Sequence, residues 1–332
     1  MRYLASTFYR PAVFLGLAAL TAGCSSVGSS TAPTTLTNPA QTDSMLAKGL
    51  MAPPHAGRSN VRGWIAPDAK KGRNLIYWGD YDTSTITIFS SRGNNPSPKG
   101  KITEGLLNPE RIFVDKRHKL YATNIGGSGN GDITVYKPGT TSPSLTISNG
   151  VDRPTGITVD AAGTVYCANV GNNTVTEYPK GAKSPSRTIS MSTTPQYLAV
   201  DSADSLYVSD GINVTEFAKG SLTGKALGLA IGGSGGIEVD KSGNIIIIDT
   251  SVPSLDVFPA GQTKPSKQIV VTSGDPFALS LSSNEKTVYM SVGNGSNFII
   301  QAFAYPNGTT LTNKITANDG QWPIAVSPDA VL

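Results

Sequence analysis

The chain has 332 residues but little cysteine and little histidine, and both scarcities exclude classes of function. Its two cysteines are Cys24 and Cys167, and its two histidines are His55 and His118. So few residues exclude a disulfide framework and a zinc site with Cys/His spacing. They also disfavour a Ser-His-Asp triad, because His55 precedes the patterned part of the chain and His118 lies in the charged turn DKRHKL. Cys167, in the strand-like segment TVYCANV, is expected to be a small core residue.

Runs of one charge and long apolar segments are also scarce. The 27 Lys and Arg residues, against 23 Asp and Glu, are scattered along the sequence and form no basic run. A nucleic-acid partner is therefore not expected. The apolar segment at residues 11–20 (PAVFLGLAAL) is too short for a membrane-spanning helix. With Arg2 and Arg10 around its start, it is typical of a targeting leader.

The leader ends in LTAGC at residues 20–24, which resembles the bacterial lipobox. This resemblance implies a lipoprotein signal peptide over residues 1–24 and lipidation of Cys24, with Thr21 standing where Leu is usual. An ordinary secretory leader is the alternative. The expected protein is exported and lipid-anchored at the cell membrane or outer membrane, with its folded domain outside the cytoplasm. Residues 25–60 are rich in Ser, Thr, Pro and Ala and predict a disordered tether.

A repeated segment dominates the rest of the chain. Residues 136–147 read YKPGTTSPSLTI, residues 178–189 read YPKGAKSPSRTI and residues 258–269 read FPAGQTKPSKQI. Each belongs to a longer unit of four short alternating strands, the first of which ends in Asp, as in GITVD and YLAVD. The strand-ending position recurs at intervals of 39 to 47 residues from Asp68 to Ser327. This spacing predicts an all-β, six-bladed β-propeller of four-stranded blades over residues 61–332, with seven blades as the weaker alternative.

Two details of the propeller follow from the pattern. Seven segments could serve as inner strands, so we expect the C-terminal segment IAVS to complete the first blade and residues 61–68 to pack on the outside or at the seam. The twelve-residue segment is predicted to be the turn from the third strand to the outermost strand. The glycines of that turn are expected to have dihedral angles closed to other residues: Gly139, Gly181, Gly220 and Gly261.

The unit is clearest at residues 154–181, where PTGITVDAAGTVYCANVGNNTVTEYPKG resembles the NHL-repeat propellers and their gluconolactonase-like relatives. Many such propellers are binding scaffolds, and some gluconolactonase-like ones are metal-dependent hydrolases. The resemblance implies that Asn169, Asp210 and Glu238 could hold a divalent ion (Ca, Mg or Mn) in a lactonase or esterase. The acidic motif that this family carries in its first blade is missing here, because the segment WIAPD has no Glu.

Polar residues begin most of the loops between the second and third strands: Asp80, Asn124, Asn169, Asp210 and Asp249, with Val292 breaking the pattern. They predict either a ring of oxygen ligands or, more simply, side chains that cap tight turns. Glu238 is different, because no other blade has a charge at its inner-strand position. It is either a metal ligand or general base, or a carboxylate paired within the channel.

The residues at the starts of the blades vary, which favours them for specificity. The candidate ligand-binding residues are Glu110, Arg153, Tyr197, Phe277 and Trp322. The expected function is a non-catalytic binding module that holds a protein, glycan or small ligand on one propeller face and needs no cofactor. The alternative is the metal-dependent lactonase or esterase, and a third possibility is a structural role in the cell envelope.

Overall fold

A computed structural model describes residues 59–126, 130–294, 297–317 and 321–331. The predicted leader, the lipobox with Cys24 and all but the end of the tether lie outside these residues. The described chain consists of short strands and one 3-10 turn at Pro67–Ala69. None of its helices is long and apolar enough to cross a membrane.

The strands of the first three blades follow one another in chain order. Blade 1 begins with β1 (Trp64–Ile65), β2 (Leu75–Asp80), β3 (Thr85–Ser90) and β4 (Pro98–Ile102). Blade 2 contains β5 (Pro109–Val114), β6 (Leu120–Asn124), β7 (Asp132–Tyr136) and β8 (Leu145–Ile147). Blade 3 contains β9 (Pro154–Val159), β10 (Val165–Asn169), β11 (Thr174–Tyr178) and β12 (Arg187–Ser190).

The remaining blades repeat the order. Blade 4 contains β13 (Tyr197–Val200), β14 (Leu206–Ser209), β15 (Val214–Phe217) and β16 (Lys225–Ala226). Blade 5 contains β17 (Ser234–Val239), β18 (Ile245–Asp249), β19 (Ser254–Phe258) and β20 (Lys267–Val270). Blade 6 contains β21 (Asp275–Leu281), β22 (Thr287–Asn294), β23 (Asn297–Ala304) and β24 (Thr310–Ala317), and β25 (Gln321–Val326) ends the chain.

The six sheets form a six-bladed propeller, as the repeat predicts, and the seven-bladed alternative is wrong. Each blade is an antiparallel sheet in which consecutive strands pair as neighbours. Inner strands of successive blades also contact one another, including β25 with β5 at the start of the ring and with β21 at its end. Stacking of this kind buries both faces of every blade around a central channel.

The C-terminal strand closes the ring. β25 pairs with β2 in antiparallel register, with Tyr77 opposite Ala325 and Trp78 opposite Ile324. β1 adds a fifth strand to the outside of the same sheet, where it pairs with β4. The segment at residues 65–68 is therefore not an inner strand, and both expectations about the ends of the ring are confirmed.

The repeated twelve-residue segment is the turn between the third and outermost strands. Gly139, Gly181, Gly220 and Gly261 have φ of 74°, 79°, 75° and 72°, as predicted for a left-handed turn position. In each full copy the Ser after Pro donates its backbone N–H and its hydroxyl to a carbonyl of the third strand, as Ser144 does to Val135 O (2.7 and 3.0 Å). Blade 4 lacks Pro-Ser in this turn, and its outermost strand β16 has only two residues.

The core consists of apolar clusters inside and between the blades. Trp78, Tyr178 and Phe258 are fully buried, and Cys167 is fully buried as predicted. The β-branched and aromatic residues on alternating positions of each strand supply these clusters.

Candidate functional site

The inner strands stack residues in successive rings along the channel. One cavity, which we call the upper cavity, lies in the channel at the end where the inner strands begin. The first ring of residues in its walls differs between blades: Arg111, Gly156, Tyr197, Gly236 and Ala278. The next ring is aliphatic in all six blades: Ile112, Ile157, Leu198, Ile237, Leu279 and Ile324. The chemistry of this end of the channel is therefore confined to the entrance above the aliphatic ring.

Arg111 is the centre of a buried polar cluster at that entrance. Its guanidinium carbon lies 4.6 Å from the centroid of the Tyr197 ring, in cation–π geometry. Its Nη1 donates to the Glu110 backbone carbonyl (2.6 Å) and lies 3.2 Å from Glu110 Oε1. Its Nε is buried and has no hydrogen-bond partner among the described residues. The described residues thus leave one enclosed donor of the cluster without a partner.

Glu110 is an unusual carboxyl group because it is 4% exposed. Burial raises its pKa to about 7, although the neighbouring Arg111 charge acts to lower it. Burial also raises the pKa of Tyr197, against the effect of Arg111. Glu110 and Tyr197, both predicted as ligand-binding residues in loops, are instead the second residue of β5 and the first of β13.

Two of the other predicted binding residues lie outside this cluster, and the side chain of the third is outside the described part of the structure. Arg153 is partly exposed, has φ of 50° and lies in the loop directly before β9 of blade 3. Its charge acts to lower the pKa of Tyr81, which burial raises. Phe277 is partly exposed and packs on Phe298 with 5.8 Å between ring centroids. Trp322 lies in β25, but its side chain is outside the described part of the structure. The roles of these residues stay predictions.

Glu238 projects from the middle of β17 into the channel lumen, where it borders both the upper and lower cavities. Glu238 is partly exposed, but only to the narrow channel between the inner strands, and desolvation there raises its pKa to about 7. The Leu281 N–H of the neighbouring inner strand interacts with the carboxylate and acts to lower that pKa. Ser280, the counterpart of Glu238 in blade 6, makes an equivalent contact, because its Oγ accepts the Val326 N–H of the next inner strand (3.3 Å). These side chains bond channel-facing amides that lack a strand partner.

The polar residues at the ends of the second strands bond other groups of their own blade. Asn169 Oδ1 accepts the Asp152 N–H (3.1 Å), and its Nδ2 donates to Thr176 Oγ1 (3.0 Å). Asp210 Oδ1 accepts two N–H groups of its own turn, those of Ile212 and Asn213. The Asp210 contacts have the geometry of turn capping, whereas Asn169 links the loop before the first strand of its blade to the third strand.

The structure does not bring the three proposed metal ligands into one cavity. Glu238 lines the channel, whereas neither Asn169 nor Asp210 lines the cavities that contain it. Among the residues that the structure describes, no group of three or more His, Cys, Asp or Glu is placed to hold a metal ion. The metal assignment therefore rests on the family resemblance alone.

The larger cavity opens at the opposite end of the channel. It measures about 290 Å³, against about 50 Å³ for the upper one. Its walls are the ends of the inner strands and the turns that follow them, with carboxylates and lysines at the rim: Lys116, Asp160, Asp201, Asp240, Lys241 and Glu285. The aspartates among them are committed to structure, as when Asp160 accepts the N–H groups of Gly163 and Thr164 (2.8 Å each).

The loops around the upper entrance carry an apolar rim. Ile212 is 62% exposed and Val252 is 45% exposed, in corresponding loops of blades 4 and 5. Backbone bonds join these loops through the segment between them, from Ser234 N to Gly211 O (2.9 Å) and from Thr250 N to Gly233 O (3.0 Å). Ile231 of that segment is partly exposed as well. Neighbouring exposed aliphatic side chains of this kind favour contact with another molecule.

The same loops are acidic. The described loops at this end contain eight Asp and Glu and a single cation, Arg153. The acids are Asp80, Asp82, Glu104, Asp132, Asp152, Asp210, Asp249 and Asp275. A face with one sign of charge selects a partner of the opposite sign and speeds its approach.

Sequence reasoning missed Arg111, Ile212 and Val252. Arg111 had a usable signal, because the other five blades hold Gly156, Tyr197, Gly236, Ala278 and Pro323 at its position, and none of these is charged. The rim had no such signal, since single apolar residues in loops are common and only the ring brings the loops that carry these two together.

Comparisons with known proteins add the fold alone. No protein-family model and no curated protein matches the chain. Among solved structures, the chain matches one titled "Crystal structure of Nidogen/Laminin Complex", with a TM-score of 0.61 and 15% identity over 77% of this chain and 99% of that chain. In all, 1280 chains of solved structures match, so this architecture by itself specifies no activity. The chain is a six-bladed β-propeller that resembles that structure in fold.

Proposed function

We propose that the propeller is a non-catalytic binding module that holds a protein partner on the face where the inner strands begin. The observation that carries the proposal is the apolar rim of Ile212 and Val252 within an acidic face, beside the buried Arg111–Tyr197 cluster. Such a face suits a partner that presents apolar side chains flanked by Lys or Arg and a carbonyl or carboxylate that reaches Arg111. The fold match supports this role, since that structure's title names a complex of two proteins.

We further propose that the chain is exported and anchored by lipid on Cys24, as the lipobox resemblance implies. An NHL-type propeller on a flexible tether would then present its face to partners in the cell envelope. Metabolic labelling with a fatty acid tests this part: label should enter the wild-type chain and be absent from Cys24→Ser. Label that persists in the variant would refute the anchor at Cys24.

Binding is tested by affinity capture from an envelope extract with quantitative mass spectrometry. The variant pairs Ile212→Asp with Val252→Asp, and the control is Val270→Asp, because Val270 is 56% exposed on the outermost strand β20. The proposal predicts a partner at fixed stoichiometry that the paired variant loses and the control keeps. Arg111→Met should weaken the same complex by about tenfold or more, as expected for a buried charged anchor. If the paired variant retains every partner, this face is not the binding surface.

The second candidate is a metal-dependent lactonase or esterase, and the observation that favours it is the carboxyl group of Glu238 in the channel with its raised pKa. Melting with Ca, Mg or Mn and then with a chelator tests it. A bound ion at ~100 times its Kd should stabilise the fold by about 2.7 kcal/mol. A reversible shift together with lactone hydrolysis that Glu238→Gln abolishes would establish this candidate over the binding module.

A further inference from the structure

The turns at the other end of the propeller form a second surface. The registers place the turn between the first and second strands at the same end as the turn between the third and fourth. In blade 3, Val165 is opposite both Val159 and Tyr178. We call the first kind of turn the inner turn and the second the outer turn. In blade 4 the two turns are in contact, because the Lys219 ammonium of the outer turn donates to Asp204 of the inner turn (2.7 Å). We call the surface made by these turns and residues 67–74 the basic face.

The basic face gathers most of the cations in the described chain. It holds fourteen Lys and Arg against eight Asp and Glu. The cations are Lys70, Lys71, Arg73, Arg92, Lys116, Arg117, Lys119, Lys137, Lys180, Lys183, Lys219, Lys241, Lys264 and Lys286. The acids are Asp68, Asp115, Asp160, Asp201, Asp204, Asp240, Glu285 and Asp329. The outer turns of the blades contain six of these cations and no acid.

The cations face solvent while several of the acids face inward. Every one of the fourteen except Lys119 is exposed. By contrast, Asp115 is 8% exposed and Asp240 is 5% exposed. Asp115 accepts two turn N–H groups (2.8 Å each) and the Tyr121 hydroxyl (3.1 Å). The potential outside this face is therefore more positive than the count of residues alone indicates.

From this arrangement we infer that the basic face docks on an anionic lipid surface. The cations stand on turns of all blades at one end of a flat ring, so a planar array of negative charges can contact many of them at once. Eleven of the fourteen are Lys, whose flexible point charges suit headgroups that offer no fixed geometry. The inference does not depend on the proposed partner at the opposite face, nor on lipid at Cys24.

One exposed apolar side chain supports lipid over nucleic acid as the occupant. Leu222 is 62% exposed in the outer turn of blade 4, between Lys219 and Lys225. A leucine flanked by lysines can enter the headgroup region while the ammonium groups stay at phosphate level. Single-stranded nucleic acid would instead need exposed aromatic side chains for base stacking. The only aromatic residues in the described turns of this face are His118 and Tyr305, which are partly buried and bond Gly72 O and Asp240 within the protein.

Vesicle co-sedimentation tests the inference. The chain carries Cys24→Ser in every variant, so no lipid can be attached there. The quantity measured is the ratio of partition coefficients into vesicles with phosphatidylglycerol and into vesicles of phosphatidylcholine alone, which cancels apolar contributions from the N-terminal residues. The variant combines Lys116→Gln, Lys183→Gln and Lys264→Gln. At about fivefold per cation, the ratio should fall about a hundredfold.

The matched control changes the net charge equally on the acidic face. Ser148→Asp, Thr193→Asp and Thr272→Asp are substitutions at exposed positions in the loops around the upper entrance. They lie across the thickness of the propeller, well beyond a Debye length of about 10 Å at moderate salt, so the ratio should change by less than about threefold. Circular dichroism melting verifies that both triple variants stay folded.

Each outcome decides the inference. Preferential binding to the anionic vesicles that salt reverses, and that only the Lys variant loses, supports it. Equal binding to both vesicle types, or equal losses in variant and control, overturns it. Tighter binding to duplex DNA than to the anionic vesicles at equal phosphate concentration would also overturn it and assign the face to nucleic acid.

Discussion

At the residue scale, a few side chains depart from the repeat, and their surroundings explain what each departure does. Glu238 stands where the other blades have Phe113, Thr158, Ala199, Ser280 and Ala325. Its interaction with the Leu281 N–H makes it a partner for an unpaired backbone amide, a role that Ser280 performs without a charge. The cost of the charge is desolvation, which raises the pKa of the carboxyl group to about 7.

A pH-dependent stability follows for Glu238. Because its pKa is higher in the folded than in the unfolded state, the folded state binds the proton more tightly. Proton binding to Glu238 therefore contributes favourably to the free energy of unfolding. This contribution is complete below the unfolded pKa near 4.5 and is lost as pH rises through about 7. Glu238→Gln keeps an acceptor for Leu281 without the charge. It should raise the free energy of unfolding at about pH 8 by about 1–2 kcal/mol relative to wild type, with a correspondingly higher melting temperature, and should raise it less at about pH 5.

Melting curves at both pH values measure this effect. Ser280→Ala is the control, because it removes a neutral acceptor and should lower stability by the same amount at each pH. A stability difference between Glu238→Gln and wild type that does not change with pH would contradict the assigned titration.

The turn glycines give a second prediction at this scale. Gly181 has φ of 79°, and a Cβ atom there would meet no atom within 4 Å. Gly181→Ala therefore introduces backbone strain without a clash and should cost about 1 kcal/mol. Gly181→Asn should cost less, because Asn tolerates the left-handed region. Denaturant unfolding of both variants measures the difference, and equal losses would show that something other than φ makes the position sensitive.

At the element scale, the same bond recurs at the first turn of successive blades. Tyr121, Tyr166 and Tyr207 each donate a hydroxyl to the Asp that ends the preceding inner strand, at 3.1, 3.3 and 3.2 Å. In blade 5 the equivalent residue is Ile246, and Tyr305 of blade 6 donates to Asp240 instead (2.7 Å). Three blades thus fix this turn internally, while blade 5 is fixed by its neighbour.

Removal of these hydroxyls should lower the free energy of unfolding by similar amounts but should change hydrogen exchange over different parts of the propeller. Tyr166→Phe and Tyr305→Phe each remove a hydrogen bond to a carboxylate and should cost about 1–2 kcal/mol. Because only the second bond joins two blades, Tyr305→Phe should also speed hydrogen exchange in the turn after β17 and in blade 6. Exchange changes confined to one blade in both variants would contradict the cross-blade role.

At the scale of the whole molecule, closure of the ring decides stability. β25 covers the open edge of β2 and packs between blade 6 and blade 2, while β1 only extends the outer edge of the same sheet. The two short terminal strands therefore differ in what they protect. An uncovered inner strand leaves a template for pairing with another chain.

Deletion of each terminal strand tests this asymmetry. A chain that lacks residues 321–332 loses Ile324, Ala325 and Val326 from the core and should unfold or oligomerise at low temperature. A chain that lacks residues 59–66 loses the two-residue pairing with β4, the Ala66 N–H bond to Lys99 O and the packing of the partly buried Ile65, but no closing strand, and should melt within a few degrees of the intact chain. Size-exclusion chromatography and melting measure both. Equal damage from the two deletions would show that β25 has no special closing role.

The sequence by itself determined the repeat, the number of blades, the strand order within each blade and the turn glycines, because periodicity and glycine placement are local properties of the chain. It also singled out Glu110, Tyr197 and Glu238 as residues that depart from the unit, and their roles in binding stay predictions. The tertiary structure alone placed Arg111 over Tyr197, linked the loops that carry Ile212 and Val252, and separated the charges onto opposite faces. Cations that are scattered along the sequence meet on one surface because every blade returns its turns to the same end of the ring. Proximity between blades depends on ring closure, which no single segment encodes.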